Sequence, residues 1–303
     1  MNNIKVSWTI SVMLVSLSCL AQNDDGFKNE LQSINIEIEK NFINENVSEI
    51  LKYYTTESVM MPEYHNTLYG ETNISLYIQH WFESVNTNSY KRAICEVKPI
   101  NGYLLETGTF KNAFTKVSND SFLYEGKYIR IWRIGVKKNL TVVSEILGSS
   151  SYLDRAKFPS IEPNKSDRIP EYKVSKIIKE EVISRNQIIT ELVKNRKGEK
   201  HATFFTTDVI YMPYYMPMLV GIEKVKSYFI EHEKPGDVQI DTLQINTGKI
   251  IDMGSFILEH GYYRIRGKGE NNISWVVTGK SINLWKRNEQ GILMLYRQMV
   301  NHD

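Results

Sequence analysis

Residues 53–70 read YYTTESVMMPEYHNTLYG, and residues 204–221 read FFTTDVIYMPYYMPMLVG. Set side by side without a gap, Thr55, Thr56, Met61, Pro62, Tyr64, Leu68 and Gly70 meet Thr206, Thr207, Met212, Pro213, Tyr215, Leu219 and Gly221. Glu57 meets Asp208 in charge. Downstream, Gly102 and Glu106-Thr107-Gly108-Thr109-Phe110 answer Gly248 and Asp252-Met253-Gly254-Ser255-Phe256. Gly126-Lys127 and Trp132-Arg133 answer Gly279-Lys280 and Trp285-Lys286. Two long copies in one order are a tandem duplication, not a solenoid. Between them, Ser149-Ser150-Ser151, Pro159, Pro163 and Pro170 have linker composition. The expected organisation is a first domain at 22–148, a linker at 149–170 and a second domain at 171–303.

The chain has 303 residues, of which 42% are hydrophobic and 24% charged, so it can bury two cores and is not a disordered chain. Its 37 basic and 35 acidic residues are interspersed, without the basic stripe that a nucleic-acid partner would require. Val6 to Leu20 is mostly apolar and uncharged after Lys5, and Cys19-Leu20-Ala21 places small residues before a cut at Gln22. This predicts a signal peptide at 1–21 and export, to the periplasm or outside the cell. The run is shorter than the roughly 20 residues a membrane span needs, and no later segment is long and apolar enough to cross. Ser16-Leu17-Ser18 is a poor lipobox, which disfavours a lipid anchor on Cys19. Cleavage leaves Cys95 alone, with no internal disulfide, and its apolar neighbours predict a small buried side chain.

Within one copy, Leu31, Ile34, Ile38 and Phe42 have helical spacing, and Asn46 opens a second short helix. Val59-Met60-Met61-Pro62 is a short strand, and a loop closed by Gly70 leads into a helix bearing Ile74, Tyr77, Ile78 and Trp81. Residues 92–98, 103–116, 122–134 and 140–147 are β-rich and separated by turns. Copy two repeats the plan, with helices in 171–203 and 222–232. Helices followed by an antiparallel meander make the fold class α+β.

This order, with a first strand ending in Met-Pro, resembles the SnoaL-like group of the nuclear transport factor 2-like, or ketosteroid isomerase-like, superfamily. Residues 204–229, the Glu-Thr-Gly-Thr-Phe strand and the Tyr-Ile-Arg-Ile-Trp-Arg strand at 128–133 carry the likeness. The resemblance implies two tandem cones, each a curved antiparallel sheet wrapped on its N-terminal helices around a pocket. It also implies that the copies can pack as an intramolecular pseudo-dimer. Members include isomerases, cyclases, dehydratases and non-catalytic binders, so fold alone gives no activity. The isomerases place an Asp base just before the proline of the first strand. Here Met61 and Met212 stand there, and neither accepts a proton. Ile129 and Ile282 fall near the position of the isomerases' oxyanion-hole acid, and the first long helix of copy one holds no tyrosine. The leading expectation is therefore a non-catalytic binder of a small, apolar or amphipathic molecule. The alternatives are an isomerase or lyase with a relocated acid/base, Glu106 or Asp252, and a periplasmic protein–protein adaptor.

The expected ligand-binding residues are Tyr211, Met212, Tyr214, Tyr215, Tyr228 and Trp285 in copy two, with Met61, Tyr64, Trp81 and Trp132 in copy one. Met216 and Met218 extend the copy-two cluster. The recurring Trp132 and Trp285 also fit a core-plug role, which is favoured. Glu106 and Asp252 are read as equivalents on one strand; a solvated face is favoured over a pocket for both. Arg130, Arg264 and Arg266 could bind an anion, but a solvated face is favoured there too. His65, His80, His201, His232, His260 and His302 show no metal-ligand spacing, and Glu231-His232-Glu233 reads as a charged helix end. There is no phosphate loop, Ser-His-Asp frame or dinucleotide fingerprint, so neither cofactor nor metal is expected.

Overall fold

The structure, a computed structural model, describes residues 26–159, 161, 174–234, 236, 239–269 and 273–303. The expected leader at 1–21 and the linker residues Pro163 and Pro170 lie outside them. The first half runs α1 (26–43), α2 (Val47–Leu51), β1 (Val59–Pro62), β2 (Leu68–Tyr69), α3 (Gly70–Ser84), β3 (Val85–Ile100), β4 (Tyr103–Lys116), β5 (Ser121–Ile134) and β6 (Leu140–Ser149). The second runs α4 (Lys176–Lys194), α5 (Gly198–Ala202), β7 (Phe205–Met212), β8 (Leu219–Val220), α6 (Ile222–His232), β9 (Gln239–Asp252), β10 (Phe256–Lys268), β11 (Ser274–Arg287) and β12 (Leu293–His302). Each half folds into a six-stranded sheet, in the orders β2-β1-β6-β5-β4-β3 and β8-β7-β12-β11-β10-β9. The long strands are antiparallel, as expected. The sheets are nevertheless mixed, because short β1 and β7 lie parallel to the last strand of their own half.

Local sequence explains the shared geometry. Gly70 and Gly221 have φ of 79° and 87°, which few other residues adopt, and each donates its N–H back to Ser58 or Val209 at 2.8 Å to close the loop. Gly126 and Gly279 are required for another reason: a Cβ there would come within 2.3 Å of the Phe110 or Tyr263 ring on the neighbouring strand. Each sheet bends through register shifts, including the equivalent pair at Ile131/Trp132 and Leu284/Trp285.

Three apolar cores result. One lies under the helices of the first half, and a second under those of the other half. The third lies between the two sheets, where Met61, Ile129, Ile131 and Ile146 meet Met212, Ile282, Leu284 and Met299. Tyr64 and Tyr215, repeat equivalents, hydrogen-bond through their hydroxyls, as in an isologous contact. Ser144 Oγ meets His260 Nε2 at 2.7 Å, and Arg297 binds Glu96 across the same seam at 2.7–2.8 Å.

This arrangement corrects several expectations. Met61 and Met212 line neither cone cavity; both are fully buried between the sheets. Ile129 and Ile282 share that face. Since side chains alternate along a strand, the residues one place earlier, Met60 and Tyr211, face the cones instead. Cys95 is exposed, at the register shift between Ile94 and Glu96. The start of the expected linker is docked rather than free: Ser149 ends β6, Arg155–Lys157 form a 3-10 turn, and Phe158 enters the first core.

The inter-sheet core is expected to be a principal source of stability. Met61→Ala should lower the unfolding free energy by about 2–5 kcal/mol in urea titration, whereas a loss below about 1 kcal/mol would show that the sheets hold without this contact.

Candidate functional site

A buried glutamate anchors each cone. In the first, Glu106 accepts hydrogen bonds from Asn35 Nδ2 at 2.6 Å, Tyr128 OH at 2.7 Å and Trp132 Nε1 at 2.8 Å. In the second, Glu259 accepts from Asn186 Nδ2 at 2.6 Å, Thr247 Oγ1 at 2.7 Å, Trp285 Nε1 at 2.8 Å and Asn283 Nδ2 at 3.0 Å. Burial raises the Glu259 pKa against the opposing pull of these donors. The equivalent of Glu106 is therefore Glu259, not Asp252. Glu259-His260-Gly261-Tyr262-Tyr263 repeats the Glu-x-Gly-x-aromatic pattern at the same distance from the Gly-Lys and Trp marks. Asp252 is exposed at the end of β9, where its Oδ1 caps Gly254 N. Glu106 does not face solvent, as the favoured reading had it; it is fully buried. Trp132 and Trp285 are core residues that hold these carboxylates.

The first cone is nearly filled. Its cavity measures about 50 Å³ and is lined by Phe42, Tyr54, Met60, Trp81, Tyr90, Arg92 and Arg130, among others. Arg130 is not on a solvated face: it is fully buried, and its NH2 lies 2.6 Å from Glu145 Oε1. Arg92 reaches the same oxygen at 2.9 Å, and Tyr54 OH donates to Oε2 at 2.6 Å. Burial alone would raise the Glu145 pKa, but Arg130, Arg92 and the Tyr54 hydroxyl bring it down to about 2. Trp81 Nε1, Asn112 Oδ1 and Arg130 Nε have no partner among the described residues. A space of about 50 Å³ is too small for an organic molecule.

The second cone is open because its sequence differs at the equivalent positions. Phe42, Ile50, Tyr54, Met60, Trp81, Tyr90, Arg92, Arg130 and Glu145 are replaced by Val193, His201, Phe205, Tyr211, His232, Leu243, Ile245, Asn283 and Gln298. Smaller groups replace Phe42, Trp81 and Tyr90, and a neutral Asn283–Gln298 hydrogen bond of 2.9 Å replaces the ion pairs. The cavity grows to about 160 Å³. An engineered apolar cavity of about 150 Å³ accepts benzene.

Tyr211 and Tyr214 line this cavity. Burial raises the pKa of both phenols, which remain hydrogen-bond donors at neutral pH. His201 Nδ1 lies 2.5 Å from Glu233 Oε1, and both residues face the cavity. His232 lines the cavity and also an open surface groove, where its ring stacks on Tyr228 at 5.0 Å. Burial, with Arg196 and His201 nearby, lowers the His232 pKa against the opposing charge of Glu233. Met216 lines the groove. Tyr64 and Tyr215 sit at the seam between the halves, and Met218 packs on the inter-sheet core. Trp81 lines the first cavity and not the second, while Arg264 and Arg266 are exposed on the outer face.

The His201–Glu233 pair was not foreseen from sequence. Position 201 precedes the repeated stretch and answers the apolar Ile50, and 233 was read as part of a charged helix end. Among the described residues no group of three or more His, Cys, Asp or Glu is placed to hold a metal.

No family model matches the chain, and no curated protein matches it. Solved structures do. A protein from Catenulispora acidiphila, in complex with S-DNPA, is 18% identical with a TM-score of 0.38; the match covers 43% of this chain and 96% of that one. A ketosteroid isomerase-like protein from Erwinia carotovora atroseptica is 13% identical with a TM-score of 0.37, covering 40% and 94%. An NTF2-like protein from Cytophaga hutchinsonii is 8% identical with a TM-score of 0.35, covering 43% and 100%. Each half has the order of helices, short first strand and long antiparallel meander that the sequence resemblance to the nuclear transport factor 2-like group implies. These identities carry no activity or ligand from one chain to another. Among the described residues, no helix is long and apolar enough to cross a membrane.

Glu145 makes the first cone acid-sensitive. Its folded pKa of about 2 lies below the ordinary 4.5, so its contribution is present above pH 4.5 and is lost as the pH falls toward 2. The loss amounts to about 3 kcal/mol. Glu145→Gln should cost about 3–5 kcal/mol at neutral pH by leaving two buried guanidiniums with Glu106 as the one carboxylate near them, and should flatten the fall in stability between pH 5 and 2.5. Equal acid losses in both proteins by urea titration would refute this assignment.

Proposed function

We propose that the chain binds a small, largely apolar molecule of about the size of one aromatic ring in its second cone. The observation that carries this reading is the contrast between equivalent cones: the first is packed nearly solid, and the second holds a cavity of about 160 Å³, one of whose lining residues, His232, also lines a surface groove. Tyr211 and Tyr214 supply phenol donors beside the apolar Ile189, Val193, Leu243 and Ile265, a combination that orients a ligand while burying it. The first half then acts as scaffold, joined to the second as an intramolecular pseudo-dimer. The apolar stretch from Val6 to Leu20 supports export of the protein.

A second reading, a small-molecule enzyme, draws support from the His201–Glu233 pair. A carboxylate that holds one imidazole nitrogen leaves the other as an acceptor, the arrangement of a general base. Glu106 and Asp252 are poorly placed for that role, one sealed beneath Trp132 and the other in solvent.

The test imports first-cone residues into the second. Native mass spectra of the wild type are expected to show added mass that leaves on denaturation, or thermal shifts with small aromatic compounds. Val193→Phe with Leu243→Tyr should abolish both while the protein stays folded. Unchanged binding in a folded double variant would sink the assignment to this cone.

A further inference from the structure

We infer that the second cone selects a ligand carrying a positively charged ammonium group on its apolar body. This rests on the reading of that cone as a binding pocket and adds the charge class of its ligand. Glu233 is almost fully buried and lines the cavity, and its Oε1 is engaged by His201. Its Oε2 is buried with no hydrogen-bond partner among the described residues. A buried carboxylate oxygen left without a donor costs free energy, so the site favours a ligand that brings one.

The surroundings agree. No lysine or arginine lines this cavity, and Glu233 is its one carboxylate among the described lining residues. Tyr211, Tyr214, Phe229 and Tyr263 present ring surfaces, which attract cations through their negative faces. Gln298 donates its Nε2 to Asn283, which leaves its Oε1 as a second acceptor. The first cone is built with the opposite bias, since Arg92 and Arg130 both line it. Replacing those arginines by Ile245 and Asn283, and introducing Glu233 where the first half has Phe82, removes two positive groups from the lining and adds a negative one.

The experiment compares three probes of similar size on the full chain at pH 8 by titration calorimetry: benzylamine, benzyl alcohol and benzoate. Benzylamine should bind at least about tenfold more tightly than benzyl alcohol, the scale of one charge-assisted hydrogen bond, and benzoate should bind weakest. Glu233→Gln should remove the amine's advantage over the alcohol. Equal affinity for amine and alcohol, a preference for benzoate, or an amine preference that survives Glu233→Gln would overturn the inference while leaving the pocket reading in place. If none of the three probes binds, both readings fall. Should Glu233→Gln not fold, the order of the three probes on the wild-type protein decides alone.

Discussion

The apolar contact between the two sheets governs the rest of the structure. With Ile129, Ile131, Ile282 and Leu284 pressed into a shared core, one face of each sheet is withdrawn from solvent and from any ligand. Each such side chain contributes roughly 1.5–3 kcal/mol by leaving water. Every cone-facing residue must therefore come from the opposite parity of the same strands. Both faces of β5 and β6 are therefore covered: Arg130 and Glu145 are fully buried on the cone side, and Lys127, with the parity of Ile129 and Ile131, is fully buried on the other.

The two halves share a frame and differ in filling. The frame is the glutamate tied to a helix asparagine and a strand tryptophan, with the glycine that lets an aromatic ring lie flat across the sheet. The filling of the first half is electrostatic and aromatic, its two guanidiniums balanced within the protein by Glu145 and Glu106. In the second half neutral groups stand at those positions. A buried ion-pair network offers little net stability over an apolar or neutral substitute, so the exchange was open to the duplicated copy once its partner positions changed together.

Much of the fold could be read from the repeat. The Met-Pro strand, the closing glycine and the succession of long β segments place nearly every element, because these features report local backbone geometry. The site was less legible, and the reason is parity. An error of one residue on a strand moves a side chain to the other face, so Met61 stood in for Met60, and Met212 was grouped with Tyr211 although the two face opposite ways. The match of Asp252 to Glu106 failed differently. The turn before β10 interrupts the register, and a local string resembling Glu-x-Gly-x-Phe outcompeted the true equivalent at Glu259. The His201–Glu233 pair joins residues from α5 and the end of α6, a juxtaposition that only packing creates.

Fusing two copies into one polypeptide has a consequence for how such a molecule responds to concentration. Paired cones on identical subunits present two like sites that can communicate across their seam. Here the seam persists, but the sites on its two sides are unlike, one packed and one open. Occupation of the open cone has no twin to report to, so saturation should follow a simple hyperbola at one equivalent per chain.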